Sequence, residues 1–305
     1  VTMNGTLRRN RRATMLAAAS FAMASCALAS CAYFTEAPES RAIVVGIDNY
    51  PNINSLEWCV ADAKAMVEAL DAEGTTLIDG SVGSSPVVKQ TVTDALESAA
   101  AEAPTGGYDR FLFYYSGHGD PVFGGSILMA DVTPSLSAGA AISTDELLSL
   151  IAKIPARTRV AILDSCYSGA FVREEPAYSP VPDDYEEGSA WTDSLSLPRF
   201  LASAASAFSA GAGGGIIALS AAGADELSWE IDGDAAEDGH GVFTSGLLEA
   251  KTSGDLNLDG LVTAAEAYDY AVDYVEKAFN ATAADVYKYL PRVSGTALDA
   301  VLFVR

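Results

Sequence analysis

The feature that most constrains this chain is a series of short apolar runs, each followed by turn residues and then by a helical pattern. The runs are Ala42-Ile-Val-Val-Gly-Ile-Asp48, Thr75–Asp79, Arg110-Phe-Leu-Phe-Tyr-Tyr115, Arg159-Val-Ala-Ile-Leu163 and Gly215-Ile-Ile-Ala-Leu-Ser220. Most are apolar on successive residues rather than alternate ones, as expected of strands buried on both faces of a parallel sheet. Helical spacing lies between them. Leu56–Leu70 repeats through Val60, Ala63, Met66, Val67 and Leu70. Pro86–Ala103 carries Pro near its first turn, and Thr144–Lys153 carries Ser143 as N-cap with Glu146 three residues on, as in a capping box. Further helices are expected over Val242–Ala250 and Ala264–Phe279, and short strands over Ser126–Val132 and Ala300–Val304. This alternation specifies an α/β fold, a three-layer sandwich with a mostly parallel central sheet flanked by helices.

Half of the residues are hydrophobic and only 19% are charged, so the chain can bury a large core and is not disordered throughout. There are 18 Lys+Arg against 41 Asp+Glu, a formal net charge of −23. Such a surface repels phosphate backbones and excludes nucleic acid as a non-specific partner. The four cysteines are too few for a disulfide scaffold.

Residues 1–30 read as an export segment. Arg8, Arg9, Arg11 and Arg12 precede an uncharged Ala- and Ser-rich stretch that ends in Leu28-Ala-Ser-Cys31. That ending is similar to a bacterial lipobox, with Cys31 as the lipidated residue and Cys26 a weaker second candidate. A simple cleaved signal and an uncleaved membrane helix are the alternatives. Export puts the protein in the cell envelope, touching the membrane only through this N-terminal lipid or signal anchor. A short linker, 31–40, leads to a single domain over 41–305. Residues 172–214 form a long irregular loop within it.

Two strand ends carry sequences that packing does not explain. One strand runs into Ser116-Gly117-His118-Gly119-Asp120, the other into Asp164-Ser165-Cys166-Tyr167-Ser168-Gly169. Catalytic groups of open α/β sheets gather at carboxyl ends of strands. A thiol with a nearby base suits nucleophilic catalysis, and the chain has only two histidines to serve as that base. The second, His240 in Asp238-Gly-His-Gly241, reads as a loop residue with a structural role.

This pair of motifs resembles the two-part signature of the caspase–metacaspase superfamily of cysteine peptidases, in its bacterial metacaspase-like branch, over about residues 41–305. The resemblance implies a caspase-like fold, Cys166 as nucleophile and His118 as general acid–base. It also implies an oxyanion hole made by the backbone N–H groups of Gly119 and Cys166. By the same resemblance Cys59, Asp62, Ser116 and Asp164 line the pocket for the residue before the cleaved bond. Carboxylates there select a cation, so the expected substrate is a peptide or protein with Arg or Lys at that position. Asp164 and Ser228-Trp229-Glu230 both depart from the pattern of enzymes that cut after Asp.

The segment Asp255-Leu-Asn257-Leu-Asp259-Gly260-Leu261-Val-Thr263-Ala-Ala-Glu266 fits an EF-hand loop. Asp255, Asn257 and Asp259 would give side-chain oxygens and Leu261 its carbonyl. Thr263 holds the ninth place, and Glu266 would close the shell around Ca²⁺ as a structural clip. Arg173 and Arg199 make the loop 172–214 a candidate for self-cleavage. Two rivals remain: a catalytically silent caspase-like binding or scaffold module of the envelope, and a serine hydrolase using Ser165 or Ser168. Neither serine lies in a Gly-x-Ser-x-Gly elbow.

Overall fold

A computed structural model describes residues 40–305 except 71, 73, 122–124, 167–214, 224–225, 232–238 and 296. The export segment, Cys31, Ser168 and the loop 172–214 with Arg173 and Arg199 lie outside the described residues.

In chain order the first half holds β1 (Ser40–Ile47), α1 (Cys59–Leu70), β2 (Gly74–Gly80), α2 (Lys89–Ala101) and β3 (Tyr108–Ser116). Then come β4 (Gly119–Asp120), β5 (Ser126–Leu128), β6 (Ala141–Ser143), α3 (Thr144–Lys153) and β7 (Ala156–Asp164). The second half holds β8 (Ile216–Ser220), β9 (Glu230–Ile231), β10 (His240–Gly241), α4 (Val242–Ser253) and β11 (Leu261–Thr263). It closes with α5 (Ala264–Val275), β12 (Arg292–Ser294) and β13 (Val301–Val304).

The central sheet has six strands in the order β12-β8-β7-β3-β1-β2. All neighbours are parallel except β12, which runs antiparallel to β8. Successive side chains point to opposite faces. On one face Ile43, Val45, Phe111, Phe113 and Leu163 share a core with Val92 and Leu96 of α2 and Leu147 and Ile151 of α3. On the other, Val44, Leu112, Tyr114, Ile162 and Leu219 pack with Met66 of α1, Phe243 and Leu247 of α4 and Ala267 of α5. The unbroken apolar runs thus have a physical cause: each strand serves two cores. The architecture is the expected α/β sandwich. Among the described residues no helix is long and apolar enough to cross a membrane.

Several local expectations change. Pro86 lies outside α2, whose N-cap is Val88. The Val87 carbonyl accepts the N–H of Ala130 and its side chain is buried, which holds this segment extended until Lys89. Ser143 caps α3 as expected, accepting the Glu146 N–H at 3.3 Å. The carboxylate of Glu146 does not reach back; it bonds Lys89 Nζ at 2.6 Å. The strand expected to reach Val132 stops at Leu128 and joins a small antiparallel sheet with β4 and β6. β13 pairs with β11, not with the central sheet. The sheet edge is instead β12, too short and polar to show a pattern. The last long helix ends at Val275 in a π-turn, Glu276–Asn280.

Candidate active site

β3 and β7 are neighbours in register, with Tyr115 opposite Leu163 and Ser116 opposite Asp164. The segments that leave them, Gly117-His118-Gly119 and Ser165-Cys166, therefore emerge side by side at the carboxyl edge of the sheet. The Gly117 N–H donates to the Asp164 carbonyl at 3.2 Å. Both glycines are required by space. A Cβ at 117 would sit 2.5 Å from Tyr115 Oη and 2.6 Å from Tyr50 Oη, and one at 119 would collide with the Cys166 carbonyl. His118 and Cys166 line one cavity of about 180 Å³.

His118 is held from four directions. Its N–H donates to Tyr50 Oη at 3.0 Å, and its carbonyl accepts Tyr115 Oη–H at 2.8 Å and the Leu128 N–H at 3.0 Å. The Tyr50 ring meets the imidazole edge-on at a centroid distance of 4.6 Å. Ring nitrogen Nε2 lies 2.7 Å from the carbonyl of Asn54. A carbonyl only accepts, so Nε2 carries the proton and Nδ1 presents a lone pair. Burial pulls the imidazole below its ordinary pKa, with the Asn54 carbonyl working the other way. A neutral ring with a bare nitrogen is the form a general base requires.

Cys166 is half-buried, with Sγ 3.8 Å from the Ser228 carbonyl. The neighbouring Ser165 Oγ is buried and has no partner among the described residues, and Ser165 does not line the cavity. That geometry disfavours Ser165 as a nucleophile. Gly119 pairs with Ile127 while the Leu128 N–H bonds the His118 carbonyl, so Gly119 occupies a non-hydrogen-bonded site of that ladder. Its N–H is not used there.

The cavity wall is acidic. Asp62 Oδ2 accepts Ser116 Oγ–H at 2.8 Å; Oδ1 accepts the Gly241 N–H at 3.1 Å and lies 2.9 Å from His240 Nδ1. Burial raises the Asp62 pKa against these donors. Asp164 Oδ2 accepts the N–H and O–H of Thr244 at 3.1 and 2.7 Å. Burial, then the charge of Asp62, pushes Asp164 up to about 7. Glu230 accepts the Trp58 N–H at 3.0 Å and lies 3.4 Å from Cys59 Sγ; burial raises it too. Asp48, accepting the Val60 N–H at 3.1 Å beside the start of α1, is pushed by burial to about 6. Burial and the charge of Glu230 keep the Cys59 thiol protonated. A set of buried carboxyls whose ionisation is opposed by burial is an arrangement that a cation would relieve.

The structure brings six of the expected residues to one cavity, which Cys59, Asp62, Ser116, His118, Asp164 and Cys166 border; Gly119, the expected oxyanion donor, is on β4 beside it and not in its lining. Sequence reasoning missed Tyr50 and Asn54; Glu230 was singled out only as a departure from the Asp-cleaving pattern and not as a wall of the cavity. His240, expected in a loop with a structural role, is on the short strand β10 instead, with Nδ1 2.9 Å from Asp62 Oδ1. A signal for His240 did exist, since Gly239-His240-Gly241 repeats the Gly-His-Gly of the other strand end. Asn54 and Tyr50 sit in a polar turn without pattern.

The loop 255–266 has the expected sharp turn, with Gly260 at φ +84°. α4 precedes it and α5 begins at Ala264. Its eighth residue, Val262, pairs with Phe303 of β13. Asp255 accepts the N–H groups of Asp259 at 3.1 Å and Gly260 at 3.0 Å, and Arg305 lies 3.4 Å from its Oδ2. Asn257 accepts the Asp259 N–H, and Asp259 that of Leu261. Glu266 closes a capping box with Thr263. No group of three or more His, Cys, Asp or Glu converges on a metal-sized point among the described residues. The donor set itself is all oxygen, which suits a hard divalent cation.

A family model described as the caspase domain matches residues 39–302. Two solved structures are similar in fold. One is a protein from Geobacter sulfurreducens, 19% identical, with a TM-score of 0.52 over 88% of this chain and 98% of that one. The other is caspase-1 from Spodoptera frugiperda, 11% identical, with a TM-score of 0.55 over 87% of this chain and 89% of that one. No curated protein matches the chain.

Proposed function

The chain belongs to the caspase domain family, and from that premise we propose that it is a cysteine endopeptidase cleaving after Arg or Lys. The observation that carries the reading is the shared cavity, in which His118 and Cys166 stand beside Asp62 and Asp164. His118 Nδ1 takes the proton of the Cys166 thiol, and Sγ bonds the scissile carbonyl carbon. The N–H groups of Gly119 and Cys166 receive the developing oxyanion. As the C–N bond breaks, the imidazolium returns its proton to the departing amine. Water, deprotonated by the same imidazole, then cleaves the thioester and regenerates the thiol. The Asn54 carbonyl keeps the ring in the tautomer that both steps need. In the pocket, a guanidinium would offer its donors to Asp62 and Asp164 and relieve their buried charge.

Fluorogenic peptides differing only at the residue before the cleaved bond test this. Wild type is expected to turn over Arg and Lys peptides, and Cys166→Ala to lose at least about 10⁴-fold. Turnover of Asp peptides alone would end the specificity reading. No turnover of any peptide, with Cys166 inert to alkylation, would favour a binding module.

Under the same proposal the loop 255–266 holds Ca²⁺ through Asp255, Asn257, Asp259, the Leu261 carbonyl and Glu266, with Thr263 at the ninth place. The ion would supply a structural clip between α4 and α5. Support comes from the donor chemistry, the Gly260 turn and the flanking helices; binding requires Glu266 to give up its Thr263 hydrogen bonds. Calorimetry with CaCl₂ that records no heat would retire it. Self-cleavage at Arg173 or Arg199, and export with lipid on Cys31, complete the proposal on motif grounds. An uncut band after incubation with Ca²⁺, and a Cys31 without diacylglyceryl mass, would remove each in turn.

A further inference from the structure

His240 approaches the acidic cavity from its own short strand. Nδ1 lies 2.9 Å from Asp62 Oδ1, and the side chain is 25% exposed, so protons in solution reach it. Asp62 itself is fully buried. A carboxylate only accepts, so Nδ1 carries the proton in this contact, and a second proton would have to add at Nε2. Adding a proton at Nε2 keeps the hydrogen bond and adds a full positive charge beside the pocket floor. The next residue, Gly241, gives its N–H to Asp62, and a Cβ there would collide with Asp164 Oδ2. His240-Gly241 is thus the strand against which both carboxylates are arranged.

We infer that His240 is a specificity-setting positioning residue: it fixes Asp62 and, through its own charge, determines how strongly the cavity holds a guanidinium. This rests on the proposed preference for Arg. Among the described residues the titratable groups of this cavity are Asp62 and Cys59 of α1, His118, Asp164 of β7, Cys166 and Glu230 of β9, with Asp48 beside the α1 N-terminus. No Lys or Arg lines the cavity among the described residues, so the imidazolium would be the countercharge nearest to Asp62 there. When acid adds a proton to His240, that countercharge appears and a substrate cation meets a less negative site. Protonation of Asp164 acts in the same direction. A variant at His240 therefore separates the two.

The experiment measures KM for an Arg peptide and for its citrulline analogue, a neutral isostere, between about pH 8 and about pH 5.5. In wild type, KM for the Arg peptide is expected to rise as pH falls while that for citrulline stays level. His240→Gln keeps a donor toward Asp62 without the charge. Its Arg KM should rise less, by about threefold or more, and at the acid end should lie below that of wild type. Thermal melts establish that the variant is folded. If it is not, His240→Asn, a second neutral donor, takes its place and is held to the same expectation, since wild type alone does not separate His240 from Asp164; a pH-independent Arg-to-citrulline contrast in wild type overturns the inference outright. Arg turnover with an identical KM profile in His240→Gln overturns the inference alone. Absence of Arg turnover in wild type overturns the specificity reading and the inference with it.

Discussion

Among the described residues the acidic cavity and the loop 255–266 are opposite in character. In the cavity beside Cys166, carboxyls are buried and burial outweighs their donors: Asp164 is pushed to about 7, and Asp62 and Glu230 are raised. In the loop 255–266, backbone donors win. Burial pushes Asp255 up, but the N–H groups of Gly260 and Asp259 and the Arg305 side chain hold it below its ordinary value. The N–H and hydroxyl of Thr263 hold Glu266 down in the same way. One set of acids is electrostatically incomplete, the other satisfied by its own turn. Counting carboxyls does not tell the two apart; the balance of burial against donors does.

The sharpest way to break this comparison is Asp164→Asn. The amide oxygen can still accept from Thr244, but the buried charge is gone. Turnover of Arg peptides is expected to fall about 10²-fold in kcat/KM. Stability should move the other way. A carboxyl whose folded pKa is raised favours the folded state below its unfolded pKa, and that advantage disappears as pH rises through about 7. Removing it should raise stability by roughly 1–3 kcal/mol at about pH 8 and leave it nearly unchanged at about pH 4. Denaturant melts at the two pH values check the sign. A loss of stability at the alkaline value would contradict the picture of an unrelieved acid. For the wild type the same titration predicts that kcat/KM for Arg peptides declines as pH falls through about 7.

Tyr50→Phe touches neither acid set and gives the scale for a change in positioning alone. Loss of the hydroxyl that accepts the His118 N–H should lower kcat about tenfold, with KM for Arg peptides little changed. A shift in KM with intact kcat would mean that the tyrosine serves the pocket instead. The smallest effect is expected in the loop. Saturating Ca²⁺ should raise the melting temperature of wild type by several degrees, since about 100 Kd of ligand is worth about 2.7 kcal/mol. Asp259→Ala should lose that rise while keeping its preference for Arg peptides. Altered peptide preference in that variant would tie the two regions together.

Much of the site is legible in the sequence alone. His118 and Cys166 stand out because Gly-His-Gly and Asp-Ser-Cys follow apolar strands, where packing has no use for them. Asp62 and Asp164 follow from resemblance to a family pattern. The groups that orient and charge the site are not legible, because each acts on a partner far away in the chain. Asn54 reaches a histidine 64 positions on, and His240 reaches an aspartate 178 positions back. The β12 edge strand escapes notice for a related reason, since three residues are too few to leave a periodic trace.

Local order, the two-faced strands and the candidate reactive side chains are written in the chain itself, because periodicity and strand-end residues act over a few neighbours. Which imidazole nitrogen is bare, which carboxyls resist ionisation and which histidine meets the buried Asp62 are decided only by folding. Those properties depend on distance and dielectric between segments that no stretch of sequence brings together.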